Sequence, residues 1–342
     1  MRRPPNVGRV TGTDSHAFLH MYHNPLTHIH QVRESAWNDL LHMLASDMKY
    51  GYHYTSIDCL YSIIEGIKDG KLIIHATYIG DFADREEYKH GYALLNDALP
   101  QIEKELGFTN PVYQLSKMWE KDTSMPAKKI RDFHYKAILK NHFAPFVISL
   151  SQSKDSPYMW EFYGGNHDGV SIILDTLPYQ CFNSGDGKVF VRNLFSLEHP
   201  VSIPVSYCQK ELSRHLKCVV QFFYEKYMKK ALTLTSHHDI ANEQLDTTEL
   251  LMNTVCALIK GTKYQEEKET RILAFCSSEE EIKRKKDDSG NRYIEVSIPL
   301  DYLKGIIVGP KCNFAQTRDE ILARLESKGA QPINISRSIL TC

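Results

Sequence analysis

The chain has 342 residues, 42% of them hydrophobic and 24% charged, with a formal net charge of -1. That length buries a substantial core in one large domain or two small ones, and the composition is ordinary for a soluble globular protein. The near-neutral balance gives no overall basicity for nucleic acid, and no run of about 18 apolar residues suggests a membrane span.

The N-terminal stretch "MRRPPNVGRVTGTDSH" is basic but has no apolar segment, so it does not read as a signal peptide. Residues 1–32, rich in His, Pro, Thr and Gly, read as an irregular arm, and 33–342 as a single domain. Helical spacing covers 33–51 and ends at a glycine, and "YHY" (52–54) is strand-like. The next helix, "TSIDCLYSIIEGIKDG", is capped by Ser56 and stopped by Gly70. "KLIIHAT" (71–77) is a strand. From about 84 to 143 the pattern is helical and charged, an inserted layer interrupted by Pro100, Pro111 and Pro126. "FVISLSQ" (146–152) is a strand, "SPYMWEFYGG" (156–165) a helix and "GVSIILD" (169–175) a strand. Short strands near 188–193 and 201–207 precede two helices, about 208–232 and 238–260, that form a second insert over 208–260. "TRILAF" and "RYIEVSIP" are strands joined by a charged loop. Strand "GIIVGP", helix "QTRDEILARLESKG" and strand "PINISRS" follow. Strands interleaved with segregated helical blocks predict an α+β fold.

The eight cysteines are scattered, with no C-x-x-C, and several sit inside apolar runs, as reduced cysteines of a cytoplasmic protein do. His16 and His20 have i, i+4 spacing, but Pro25 breaks the pattern and no metal site is expected. "KRKK" (283–286) lies between acidic runs and reads as a solvated hairpin tip. No Gly-rich phosphate loop and no G-x-S-x-G nucleophile elbow occur.

Three segments carry candidate chemistry. They are Tyr52-His53-Tyr54-Thr55-Ser56 before a helix, Ser149-x-Ser151 followed by Trp160 and Tyr163, and Glu267-x-Glu269-x-Arg271 before a strand. If Glu267 and Glu269 lie on that strand, alternation sends both carboxylates to one face. Each residue also has a plain structural reading. A Glu-x-Glu before a strand fits a solvated edge, and His53 fits a hydrogen-bonded structural histidine. Trp160 and Tyr163, three apart, fit core packing, and Ser149 and Ser151 fit simple strand alternation. Arg271 suits an ion pair with Asp84 or Glu87, which themselves suit either the cleft or a helix cap.

Together these motifs resemble the bacterial family catalogued as domain of unknown function 2971. The resemblance rests on His53-Tyr54-Thr55, Ala76-Thr77, Asp84 and Glu87 in "FADREE", Ser149-x-Ser151, Met159-Trp160 with Tyr163, Gly169, Tyr264-x-x-Glu267-x-Glu269-x-Arg271 and the closing "LKGIIVGP". It spans about 50–338. Two departures stand out: Ala83-Asp84-Arg85 replaces the family's N-D-P, and Tyr264 replaces a Trp. More remotely, the order of parts is similar to the ADP-ribosyltransferase fold. That implies a split β-sandwich binding NAD as substrate in the cleft between two sheets, with the helical inserts added.

Within that resemblance Glu269 would stabilise the oxocarbenium-like state formed as the nicotinamide–ribose bond breaks, and Glu267 would orient an acceptor or take its proton, although the two could exchange roles. His53, Tyr54, Thr55, Ser149 and Ser151 would hold the cofactor or brace the glutamate, and Trp160 or Tyr163 would stack on the cationic nicotinamide. The implied activity is an NAD-cleaving ADP-ribosyltransferase or NAD glycohydrolase, a toxin or antiphage effector held by an inhibitory or defence-system partner. Its acceptor would be water, a protein or a nucleic acid. The alternatives are a non-catalytic nucleotide-binding module in a larger assembly and an RNA-processing enzyme of the same fold, the latter opposed by the lack of a concentrated basic groove.

Overall fold

A computed structural model describes residues 44, 48–82, 85–108, 144–176, 202–228, 254–276, 285–287 and 289–341. The arm over 1–32, the strand near 188–193, the residues Ala83 and Asp84, the side chains of Arg85 and Glu87, and most of the helix expected over 238–260 lie outside that set. The described chain is mixed α+β, as its pattern predicts. In order it runs β1 (Tyr50–Ser56), α1 (Ile57–Glu65), β2 (Lys71–Tyr78), α2 (Arg85–Glu105), β3 (Ala144–Ser151), α3 (Pro157–Phe162), β4 (Gly169–Asp175) and β5 (Ser202–Pro204). It continues with α4 (Gln209–Gln221), a π-helical extension (Phe222–Met228), a 3-10 segment (Thr262–Glu267), β6 (Glu269–Cys276), β7 (Tyr293–Pro299), β8 (Leu303–Val308), α5 (Phe314–Ser327) and β9 (Asn334–Arg337). No helix among the described residues is long and apolar enough to cross a membrane.

Local chemistry sets the element ends. The Ser56 hydroxyl accepts from the Cys59 amide at 3.1 Å and starts α1. Ser156 does the same for α3 with Pro157 at its first turn, and Asn313 caps α5. β4 is apolar on both faces and buried nearly throughout, as a central strand must be. β1 is longer than the three residues its sequence suggests, because Tyr50 to Ser56 pair continuously with Asp175 to Gly169. The helix expected over 156–165 stops at Phe162, where Gly164, Gly165 and two residues of positive φ, Asn166 and His167, turn the chain into β4.

The nine strands among the described residues form one sheet that forks. β3 pairs along its whole length with β6, from Ala144↔Cys276 to Ser151↔Glu269. Its other edge is divided: Val147 and Phe146 match Thr77 and Tyr78 of β2, whereas Ser151 alone matches Tyr52 of β1. One branch is therefore β7-β2-β3-β6-β5 and the other β1-β4-β8-β9, all antiparallel except the β8–β9 pair.

Alternation along these strands divides the core in three. Phe146, Ile148 and Leu150 point into the fork with Ile172, Ile272, Val296 and Ile306, closed by α1 and α5. Val147 and Leu273 point the other way, against α2, α4 and residues 255–259. Tyr54 and Ile307, on the outer face of the second branch, pack on Met159 and Trp160 of α3.

Gly169 sits where β4 leaves this turn. A Cβ there would lie 2.3 Å from the Thr55 carbonyl oxygen and 2.7 Å from that of Gly164, both rigid backbone. Gly169→Ala is expected to lower unfolding free energy by about 2–4 kcal/mol, read by urea denaturation, since backbone must shift to admit the methyl.

Candidate functional site

The site begins with the residues that share a face with Val147 and Leu273. Ser149 and Ser151 on β3 stand opposite Arg271 and Glu269 on β6, so alternation sends all four toward the helical layer. Glu267 is not on the strand. It ends the 3-10 segment, and Lys268 then adopts a left-handed conformation with φ 44° before β6 begins at Glu269. The two carboxylates converge through this turn, not through strand alternation.

All members of the resulting cluster are buried: Glu267 and Glu269 are each 3% exposed, Lys260 7% and Arg271 0%. Arg271 Nε donates to Glu269 Oε1 at 2.9 Å and its Nη2 to Oε2 at 3.0 Å. Nη1 donates to the Ala257 carbonyl at 2.6 Å, tying the sheet to the helical layer. Arg271 thus pairs within its own motif; the ion pair expected with Asp84 or Glu87 falls on side chains outside the described residues. Lys260 Nζ bridges both acids, 2.6 Å from Glu267 Oε2 and 3.0 Å from Glu269 Oε2. The Tyr163 hydroxyl donates to the other Glu267 oxygen at 2.9 Å.

These environments separate the two acids. Burial drives the Glu269 carboxyl up, but Arg271 and Lys260 overcome it and hold it down at about 2. Burial raises the Glu267 carboxyl above the ordinary glutamate range; Lys260 offsets this in part and the Glu269 charge adds to it. Two carboxylates of unlike proton affinity thus stand side by side, a pattern found where acid and base roles are divided.

Around them lies a cleft of about 310 Å³ at the crotch of the fork, reached by His53, Tyr54, Phe82, Ser149, Tyr163 and Tyr264 as well as both acids. His53 closes the crotch. Where β1 and β3 part, its Nδ1 lies 3.0 Å from the Ser149 carbonyl oxygen, a bond that requires Nδ1–H and leaves Nε2 as an acceptor. Burial lowers the His53 pKa and keeps the ring neutral.

The remaining sequence candidates divide between lining and support. Ser149 lines the cleft on the face it shares with Glu269 and Arg271. Ser151 donates to the Glu267 carbonyl at 2.7 Å and accepts from the Ser153 amide, so it holds the turn that carries Glu267. Tyr54 lines the cleft with its ring, but its hydroxyl is committed to Ser153 and Ser156. Thr55 is half-buried on β1 opposite Val170 and is not among the cleft's lining. Trp160 is fully buried, edge-on to Tyr54 at 4.9 Å, with its indole N–H donated to Asp155. Of the two stacking candidates, Tyr163 reaches the cleft and Trp160 supports α3 from beneath.

Three participants escape motif reading. Lys260 ends the apolar run "TVCALI", Phe82 faces the Arg271 guanidinium at 5.5 Å, and the Tyr207 hydroxyl accepts from the Glu269 amide at 2.7 Å. The one usable signal is Lys260, a cation closing an otherwise buried run, which implies a buried acid as partner. Among the described residues no group of three or more His, Cys, Asp or Glu could hold a metal ion; His16 and His20 lie outside them.

Comparison with known proteins adds one finding. Residues 159–272 match a family described as a protein of unknown function (DUF2971). The matched third of the chain runs from α3 into the middle of β6, so it holds Tyr163, Lys260, Glu267, Glu269 and Arg271 together. No curated protein and no solved structure matches the chain.

Arg271→Met is expected to destabilise the fold by about 3–5 kcal/mol, because it strands a buried carboxylate. The wild-type protein gains stability from Glu269 above its unfolded value, near 4.5, and loses it as pH falls toward 2. Urea melts between pH 3 and 6 check this: that acid-side slope flattens in Glu269→Gln. Trp160→Ala should cost about 3–5 kcal/mol by cavity formation in the same assay.

Proposed function

We propose that the cleft binds NAD and cleaves its nicotinamide–ribose bond, with Glu267 as the acid that meets the ligand and acceptor. The observation that carries this is the unequal engagement of the two glutamates. Both Glu269 oxygens are taken by Arg271. Glu267, with its raised pKa, lies on the cleft wall between a lysine and the hydroxyl of a half-exposed tyrosine. The forked sheet with a cleft at its crotch supports the ADP-ribosyltransferase-like reading of the fold.

In this reading the C1′–N bond breaks, nicotinamide leaves with the bonding pair, and positive charge develops on the ribose. The ionised Glu269 and Glu267 face that charge from a water-poor wall. The acceptor oxygen, from water or a macromolecule, bonds to C1′ and its proton passes to Glu267, whose raised proton affinity suits a general base. His53 Nε2 accepts from a ribose hydroxyl, and Tyr163, Tyr264 and Phe82 supply aromatic faces for the pyridinium. Ser151 and Tyr207 hold the two acids in place through their backbones.

A second reading, nucleotide binding without turnover, draws on the internal balance of the cluster. Among the described residues two cations meet two carboxylates, and Glu269 is satisfied before any ligand arrives.

The test is nicotinamide release from NAD by the purified chain, with and without cell lysate. Glu267→Gln, which keeps shape and removes charge, should lower release by about 10²–10⁴-fold while the protein stays folded. A need for lysate would identify a macromolecular acceptor. Absence of release under both conditions, with a melting-temperature shift on adding NAD, would leave the binding module; absence of both signals would remove NAD altogether.

A further inference from the structure

Tyr163 is placed unlike any other cleft residue. It follows the last residue of α3 and is 44% exposed, yet its hydroxyl reaches a carboxylate only 3% exposed. Among the described residues that is its one side-chain hydrogen bond, and its ring has no aromatic partner; its helix neighbours Tyr158 and Phe162 pair with each other instead.

Its backbone, by contrast, is fixed on both sides. Trp160 is buried beneath it, and the Tyr163 amide closes on the Met159 carbonyl at 3.0 Å. Gly164 packs so closely that a Cβ would lie 2.5 Å from the Trp160 ring. Gly165, Asn166 and His167 follow with φ of 60°, 53° and 74°, a run that ends the helix and sets the path into β4. The ring can therefore leave the carboxylate by side-chain rotation, a fast motion for an exposed residue, without moving α3.

The contact has the chemistry of a ligand. Glu267 Oε2 is taken by Lys260 and Oε1 by a phenol O–H, and an aliphatic hydroxyl would donate to Oε1 in the same way. Burial and the Glu267 charge push the Tyr163 ionisation far up, so the phenol remains a donor at all ordinary pH.

We propose that Tyr163 is a specificity-determining gate: its hydroxyl occupies the seat of a ligand hydroxyl on Glu267, and it yields that seat to a sugar hydroxyl while its freed ring covers the ligand. The proposal rests on the nucleotide reading of the cleft and adds a selection rule. A ligand with no N–H or O–H donor, such as N,N-dimethylnicotinamide, cannot repay Glu267 for the lost phenol and does not open the gate.

Calorimetric titration of NAD and of N,N-dimethylnicotinamide into the full chain tests this with wild type, Tyr163→Phe and Tyr163→Ala. Tyr163→Phe removes the competing hydroxyl and keeps the ring, so NAD should bind it about three- to tenfold tighter than wild type, the worth of one hydrogen bond. N,N-dimethylnicotinamide should also bind Tyr163→Phe more tightly than wild type, because no phenol is left to repay. Tyr163→Ala, which loses the cover, should bind NAD more weakly than Tyr163→Phe. Equal or weaker NAD binding by Tyr163→Phe overturns the gate, and N,N-dimethylnicotinamide bound by wild type as tightly as by Tyr163→Phe overturns the selection rule. Tighter binding by Tyr163→Ala than by Tyr163→Phe overturns the covering role. The expected binding pattern without nicotinamide release removes cleavage and leaves the gate standing. Failure of all three proteins to bind NAD removes the gate and the NAD reading together.

Discussion

A guanidinium with no solvent exposure, that of Arg271, is the contact on which the cleft depends. It grips both oxygens of Glu269 on its own strand and the Ala257 carbonyl from the helical layer. Without it, two buried carboxylates would share the one Lys260 cation, and the layer would lose a polar tie to β6. Lys260 extends the same logic to Glu267, so that four charged side chains are buried at no net charge. Burying such a set contributes little stability over an apolar core of equal volume, and its presence at a cleft argues for a task beyond folding.

The architecture built on this cluster gives each glutamate a distinct environment two residues apart in sequence. Lys268 makes that possible. Its left-handed backbone takes Glu267 off the strand and brings it back over Glu269, where one lysine reaches both. A regular strand would have set the two side chains about 7 Å apart along one face. The turn is held by Ser151 from the neighbouring strand, so the second serine of Ser149-x-Ser151 acts on the first glutamate of Glu267-x-Glu269 through its backbone.

Much of the element order was legible in the sequence because β2, β4 and β8 carry apolar patterns that only a buried strand satisfies, and because Ser56, Ser156 and Asn313 mark helix starts with cap chemistry. The short strand expected near 201–207 appears as β5, but the true length of β1 was not legible, since its partner strand decides its ends and the chain's own propensities do not. The cleft was half legible. Motif spacing brought out His53, Ser149, Tyr163, Glu267 and Glu269, all of which reach it. The same spacing could not tell Trp160 from Tyr163, because three residues on a helix differ by most of a turn and burial is decided by what packs beneath. Nor could it supply Lys260, Phe82 or Tyr207, which arrive from separate segments; of the three only Lys260, a cation closing an apolar run, carries a local signal.

The fork has a mechanical consequence. The two branches are glued along their inner faces by a continuous apolar core, but at the crotch they share one backbone pair, Tyr52↔Ser151, and the ring of His53. Stiffness is therefore unevenly distributed. Separating the branches elsewhere exposes oil to water, whereas widening the crotch strains that pair, one imidazole bond and the ties of the Tyr54 hydroxyl to Ser153 and Ser156. Among the described residues the crotch is thus the least braced joint between the branches, and a ligand seated there would act as a further rung between β1 and β3.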